Sequence, residues 1–335
     1  MATTGENNAL TDVEGIIVGH YDNTEDACGV TVAICAEGAV AGVDVRGSAP
    51  GTRETDLLAP LNLVQKAQAV VLSGGSVYGL AASDGVVRWL SRKGFGFPLE
   101  EGHVAPIVPA AVLYDLNRGK NFIPSIQADW GRIACEAAND GPVRTGTVGA
   151  GTGAFSGSIK GGLGTASLIL DFGINVAALV AVNSAGSVID PVSGRPWEIG
   201  LQINAEFGEQ GRRAVVLPPP PQAEPAKNTT IGIVATDAIL TKSQAQKVAQ
   251  MAQDGLARAI RPAHTMFDGD TIFCLASGKK DLPDQPGFFA APKAQAISGI
   301  GHAAADCMAR AIMGGILSAR SLAGMTAFCD LEDHP

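Results

Sequence analysis

Charge and aromatic side chains are both scarce in this sequence: of 335 residues, only 17% are charged and 5% aromatic. What charge there is leans acidic, 33 carboxylates against 24 basic residues, for a net -9. Nucleic acids and anionic membrane surfaces are held through Lys and Arg, so neither is expected as the main partner. No run reaches the roughly 18 apolar residues of a membrane span. The opening MATTGENNALTDVEG has neither the basic nor the apolar region of a secretory signal. Cysteine pairs are missing too. Cys28, Cys35, Cys135, Cys274, Cys307 and Cys329 form no CxxC, and the five histidines have no metal-ligand spacing. No zinc site and no cofactor are expected, and the thiols read as buried and free, in a reducing compartment, the cytoplasm by default.

What is present is a globular composition. The apolar fraction is 46% with 42 glycines, so the core must be built from Ala, Val, Ile and Leu. Residues 30–34 and 39–45 are β-rich runs, and Glu37-Gly38 between them is a hairpin signal. A short buried strand at 69–72 ends in SGGSVYG, and residues 80–93 follow with helical spacing. SGGSVYG has Tyr78 where a nucleophile elbow needs glycine, so it reads as a tight strand-to-helix turn. A helix is expected over 127–138, and a strand over 176–182 that ends at Asn183.

The stretch 146–167 is the richest in glycine. Lys160 is followed by glycine and not by Ser or Thr, and Ser156 stands where a third glycine of a dinucleotide fingerprint belongs, so neither phosphate-binding pattern is met. The expectation is a flexible loop over a site, with Lys160 its lone charge. Residues 198–225, rising to four prolines, read as a surface connector.

That connector feeds into NTTIGIVATDA, where 231–236 is apolar, β-branched and short, as in a buried strand. Thr229 and Thr230 are ordinary β-formers at a strand start. A threonine there is also a usable nucleophile if the Asn228–Thr229 bond is cut, because the freed α-amine can serve as its base. A helix capped by Thr241 or Ser243 runs to about Arg258, and a strand at 271–275 follows Asp268-Gly269-Asp270. Those aspartates are either a turn or a carboxylate pair in a site. Tyr114 reads as a core tyrosine, and Asn183 as a turn former or an oxyanion donor. A long small-residue helix over 294–317 closes the chain.

Taken together, these motifs resemble the DmpA-like family of L-aminopeptidase/D-amidase-esterases, which includes β-peptidyl aminopeptidases. The likeness spans nearly the whole chain: LTDVEGI, DVRGSAPGTRETDLL, GGSVYGLAASDGV, PAAVLYDL, KGGLGTAS, AVNSAGSV, NTTIGIVATDA and HTMFDGDTIF. The pattern is closest to the nylon-oligomer (6-aminohexanoate) hydrolases. The resemblance implies an αββα sandwich of two stacked sheets flanked by helices, similar to N-terminal-nucleophile hydrolases. It also implies one domain over 1–335, self-cleaved into 1–228 and 229–335, and assembly as a homo-oligomer, a tetramer or larger. It places the nucleophile on Thr229, carboxylates on Asp268 and Asp270, oxyanion contacts on Tyr114 and Asn183, and a site lysine on Lys160. The implied activity is hydrolysis of small peptides, amides or esters by an aminopeptidase or amidase. The alternative is endo-hydrolysis of 6-aminohexanoate oligomers. A reading of another class is an unprocessed small-molecule-binding protein.

Overall fold

The computed structural model describes residues 3–219, 228–284 and 291–334. Pro220, Pro221 and Pro225 of the expected connector thus lie outside the described residues.

Nine strands form one hydrogen-bonded sheet among these residues. They are β1 (Ile17–Asn23), β2 (Cys28–Val45), β3 (Gly51–Arg53), β4 (Lys66–Ser73), β5 (Ala110–Val112), β6 (Gly162–Ile169), β7 (Asn175–Asn183), β8 (Thr229–Ala238) and β9 (Thr271–Lys280). The order is β6-β7-β8-β9-β2-β4-β5-β3, with β1 also on β2. The helices are α1 (Ala82–Arg92), α2 (Ala128–Glu136), α3 (Lys242–Ala259) and α4 (Ala294–Leu317).

The sheet is continuous but works as two layers, because β2 is shared between them. Its first half pairs with β1 and β4, and its last residues, Val40 to Val45, pair with β9. The register shifts between Ile34 and Ala39. This corrects the hairpin expected at Glu37-Gly38: the chain kinks there and keeps going. A bulge bends a strand, and here it turns β2 from one layer into the other.

Three apolar clusters then mark the three interfaces of an α-β-β-α stack. Val176, Ala178, Val180 and Val234 face α3 and α4. The alternate residues of the same strands, Ala177, Leu179, Ile231 and Ile233, meet Ala33, Val70 and Leu72 between the layers. Val30, Val32, Ala69 and Val71 pack on α1 and α2 through Val86, Leu90 and Trp130. Strands covered on both faces carry near-continuous apolar runs, which is why β7 and β8 show no polar alternation.

Strand β8 leads through α3 to its parallel neighbour β9. Thr241 caps α3, its hydroxyl accepting the Gln244 N–H at 3.3 Å while the Gln244 side chain accepts the Thr241 N–H at 2.8 Å. Such a cap contributes about 1 kcal/mol. The glycine-rich stretch is ordered, contrary to the expected flexible loop. A Cβ on Gly164 would lie 1.9 Å from the Ala311 carbonyl oxygen, so β6 and α4 meet backbone to backbone. Glycine is required here for close approach, not for freedom of movement. The expected connector is likewise folded up to residue 217. Val215 is buried, and Glu206 binds the buried Arg310 at 2.6 and 2.8 Å. All six cysteines are free; five are buried and Cys329 is half-buried. Among the described residues, no helix is long and apolar enough to cross a membrane.

Candidate active site

The antiparallel register of β7 on β8 sets Asn183 directly opposite Thr229. On the other side, the approach to β9 bridges Asn228 to Asp268. Three strand ends therefore converge on one peptide bond. Next to it opens a cavity of about 470 Å³, lined by Asn228, Thr229, Tyr114, Ser76 and apolar groups that include Val77, Val112, Met266 and Phe267. None of its lining residues is charged.

Thr229 is 5% exposed, and its Oγ1 donates to the carbonyl oxygen of Asn228 at 2.5 Å. That oxygen also accepts the Gly269 N–H at 3.3 Å. Glycine is needed at 269, because a Cβ would sit 2.9 Å from Thr229 Oγ1 and 2.7 Å from the Ala49 carbonyl oxygen.

The two aspartates have different surroundings. Asp270 is fully engaged: Oδ1 accepts the Thr230 N–H at 2.8 Å, and Oδ2 accepts the His264 N–H at 3.1 Å and Nδ1–H at 2.9 Å. It fixes the first residues of chain after the Asn228–Thr229 bond. Asp268 Oδ2 accepts the Thr265 N–H at 2.8 Å and hydroxyl at 2.6 Å, and the Ala185 N–H also acts on this carboxylate. Its Oδ1 is buried with no hydrogen-bond partner among the described residues. Burial pushes the Asp268 pKa above the usual carboxylate value, the Thr265 hydroxyl pulls it back, and the Asp270 charge adds to the rise.

Asn183 has no exposed surface. Its Oδ1 accepts Arg118 Nη1–H at 2.6 Å and the Phe155 N–H at 3.0 Å, so Nδ2 is turned the other way, to the Tyr114 carbonyl at 3.3 Å. Two donors on Oδ1 fix which way the amide faces. Arg118 also donates to the Gly153 carbonyl at 2.5 Å and lies over the Phe155 ring. Burial lowers its pKa, while Asp115 opposes the fall. Asp115 is itself buried, accepts the Gly75 N–H at 2.6 Å, and is pushed up to about 6 by burial.

Lys160 does not sit in the flexible loop expected for it. It is completely buried, and Nζ donates to the carbonyls of Gly151, Ala154 and Gly161 at 2.8, 3.0 and 2.7 Å. An ammonium has three hydrogens, and three carbonyls take them, which leaves none for an oxyanion. Burial draws its pKa down to about 7, and the Arg118 charge acts the same way.

Three residues of the site were missed from the sequence: Arg118, His264 and Thr265. Arg118 stands in the polar loop NRGKN with no periodicity to mark it, and His264 lies six residues before Asp270 with no paired motif. Ser76 belongs to the strand-to-helix turn SGGSVYG. It lines the cavity with φ +51, a left-handed conformation unusual for serine, directly after Gly75 at φ +81.

The strand ends and the cavity beside them form a candidate active site at one edge of an α-β-β-α architecture. The chain belongs to peptidase family S58, whose profile matches residues 8–328. It is 47% identical over 340 residues to an uncharacterized aminopeptidase of Mycobacterium tuberculosis, covering 97% of this chain and 98% of that one. It is 30% identical over 301 residues to a 6-aminohexanoate-oligomer endohydrolase of Kocuria sp., covering 85% and 79%. Among solved structures it is similar to the L-aminopeptidase D-Ala-esterase/amidase of Ochrobactrum anthropi, described as a new variant among the Ntn hydrolase fold. There the TM-score is 0.73 and the identity 22%, over 96% of this chain and 89% of that one. The resemblance read from the sequence is thus borne out, and the protein is a hydrolase of amide or peptide bonds.

Proposed function

We propose that the protein is a self-processing amide hydrolase with Thr229 as nucleophile. The observation that carries this is the Thr229 hydroxyl hydrogen-bonded to the carbonyl of Asn228, at the mouth of the cavity. In the uncut chain Oγ1 attacks the Asn228 carbonyl carbon. The C–N bond breaks, the proton passes to the Thr229 nitrogen, and an ester joins Asn228 to Oγ1. Water hydrolyses that ester, leaving a carboxylate on Asn228 and a free amine on Thr229.

That amine has an ordinary pKa of about 7.7–8.0 and can take the hydroxyl proton when a substrate carbonyl is attacked. It then returns the proton to the leaving nitrogen. Asn183 supports the oxyanion with its second Nδ2 hydrogen, held in orientation by Arg118. Tyr114 shapes the same cavity. A denaturing gel tests the reading directly. Purified protein is expected to run as two fragments that stay together under native conditions, with the lighter beginning TTIGIVATDA. A single intact chain hydrolysing amides at full rate would overturn it.

A second reading concerns the substrate. The uncharged, largely apolar lining suits an acyl group built of methylenes, and the relative that hydrolyses 6-aminohexanoate oligomers favours the same chemistry. With a linear 6-aminohexanoate oligomer, early products of intermediate length are expected. If only L-amino-acid amides are turned over and the oligomer stays intact, the site is that of an aminopeptidase with a short acyl pocket.

A further inference from the structure

We propose that the backbone N–H of Gly269 is an oxyanion donor, used once in self-cleavage and again in every turnover. This deepens the Thr229 reading and rests on it.

The argument begins at the Asn228 carbonyl oxygen. It has two lone pairs and two donors: Thr229 Oγ1 at 2.5 Å and Gly269 N at 3.3 Å. For attack, the hydroxyl must leave the oxygen and move to the carbonyl carbon. One donor is then withdrawn at the moment negative charge builds on that oxygen. The Gly269 N–H stays. It is fixed by the bridge between Asn228 and Asp268 and by the Ala49 N–H, which donates to the Asp268 carbonyl at 2.9 Å. A donor already aimed at the developing charge needs no reorganisation, which is where oxyanion stabilisation gets its size.

The second use follows from chemistry. Self-cleavage passes through an ester of the Asn228 acyl group on Thr229 Oγ1. Substrate hydrolysis passes through an ester of the substrate acyl group on that same oxygen. The functional group and its anchor atom are identical, so the acyl carbonyl of a substrate occupies the position Asn228 has vacated. In both reactions the Oγ1–C bond forms, the C–N bond breaks with the proton going to the departing nitrogen, and water then opens the ester.

Replacing Gly269 by glycolic acid turns its amide into an ester and removes the N–H without adding a Cβ. The full-length protein carrying this change is expected to mature about 10²–10³ times more slowly than the parent. After maturation its kcat should be lower by a similar factor with KM little changed, whereas a purely structural role would show as lost melting temperature and raised KM. A folded ester protein that matures within threefold of the parent overturns the proposal. A second measurement does not depend on that protein folding. In a crystal structure of the uncut Thr229→Ala protein, Gly269 N is expected within 3.5 Å of the Asn228 oxygen, and a wider separation overturns the proposal as well. If Thr229→Ala itself matures, the nucleophile reading has failed. If Thr229→Ala stays uncut while the Gly269 ester matures normally, only the oxyanion assignment has failed.

Discussion

Thr229→Ala is expected to yield a single uncut chain, folded as the parent and without measurable amidase activity, a loss on the order of 10⁴-fold or more. The loss should be chemical and not structural. The side chain makes one hydrogen bond, to Asn228, and such a bond is worth about 1 kcal/mol. The rest of β8 is held by its buried pairing to β7 and β9. Thr229→Ser keeps the hydroxyl and, once cut, the amine, so it should mature and turn over. The two variants together separate the hydroxyl from everything else at the position. A gel read at intervals after purification, alongside hydrolysis of an amino-acid amide, checks both. If the alanine variant still turns over substrate, the nucleophile is elsewhere, and Ser76 is the next residue to test. It lines the same cavity in a left-handed turn, and strained backbone of that kind gathers at functional sites.

Much of this site was legible because its parts are local. The apolar run after Thr230, the capping residue at Thr241 and the aspartates before Thr271 each have a signal within a few neighbours, and β8, α3 and β9 form where those signals fall. What local pattern could not reveal was set by contacts far along the chain. Gly38 has φ +83 and looks like a turn, yet β2 passes through it because β4 pairs on both sides of the kink. The glycines around 162–164 suggest mobility until α4, some 150 residues later, is laid on them. Lys160 looks like the lone charge of a flexible loop until the carbonyls of residues 151, 154 and 161 fold round it. Arg118 is the clearest case: its role is fixed by Asn183 and Gly153, neither of them near it in sequence.

Self-cleavage and turnover are expected to depend differently on pH, and Asp268 is the residue that separates them. In the uncut chain the Thr229 nitrogen is an amide and cannot serve as the base that frees the hydroxyl; it takes a proton only as it departs. The carboxylate bridged through its backbone to Asn228 is Asp268, whose Oδ1 is buried and has no partner among the described residues. It is the candidate base for the first reaction. A base must be deprotonated, and burial holds the Asp268 pKa above the ordinary carboxylate value. The rate of self-cleavage should therefore rise with pH through that raised value and level off above it. Turnover also requires a neutral α-amine, so its acid limb should follow the amine, near 7.7–8.0. Asp268→Asn is expected to slow self-cleavage on the order of 10²–10⁴-fold and abolish its acid limb. Asp270→Asn should act otherwise. It weakens the clamp on Thr230 and His264, where each bond to a charged group is worth about 1.5–3 kcal/mol. Its effect should be a lower melting temperature, with the acid limb of self-cleavage kept. Rates of chain cleavage after pH jumps, together with melting curves for both variants, provide the comparison. An Asp268→Asn chain that matures at the parent rate with the same limb would remove Asp268 from the mechanism and leave it a turn residue.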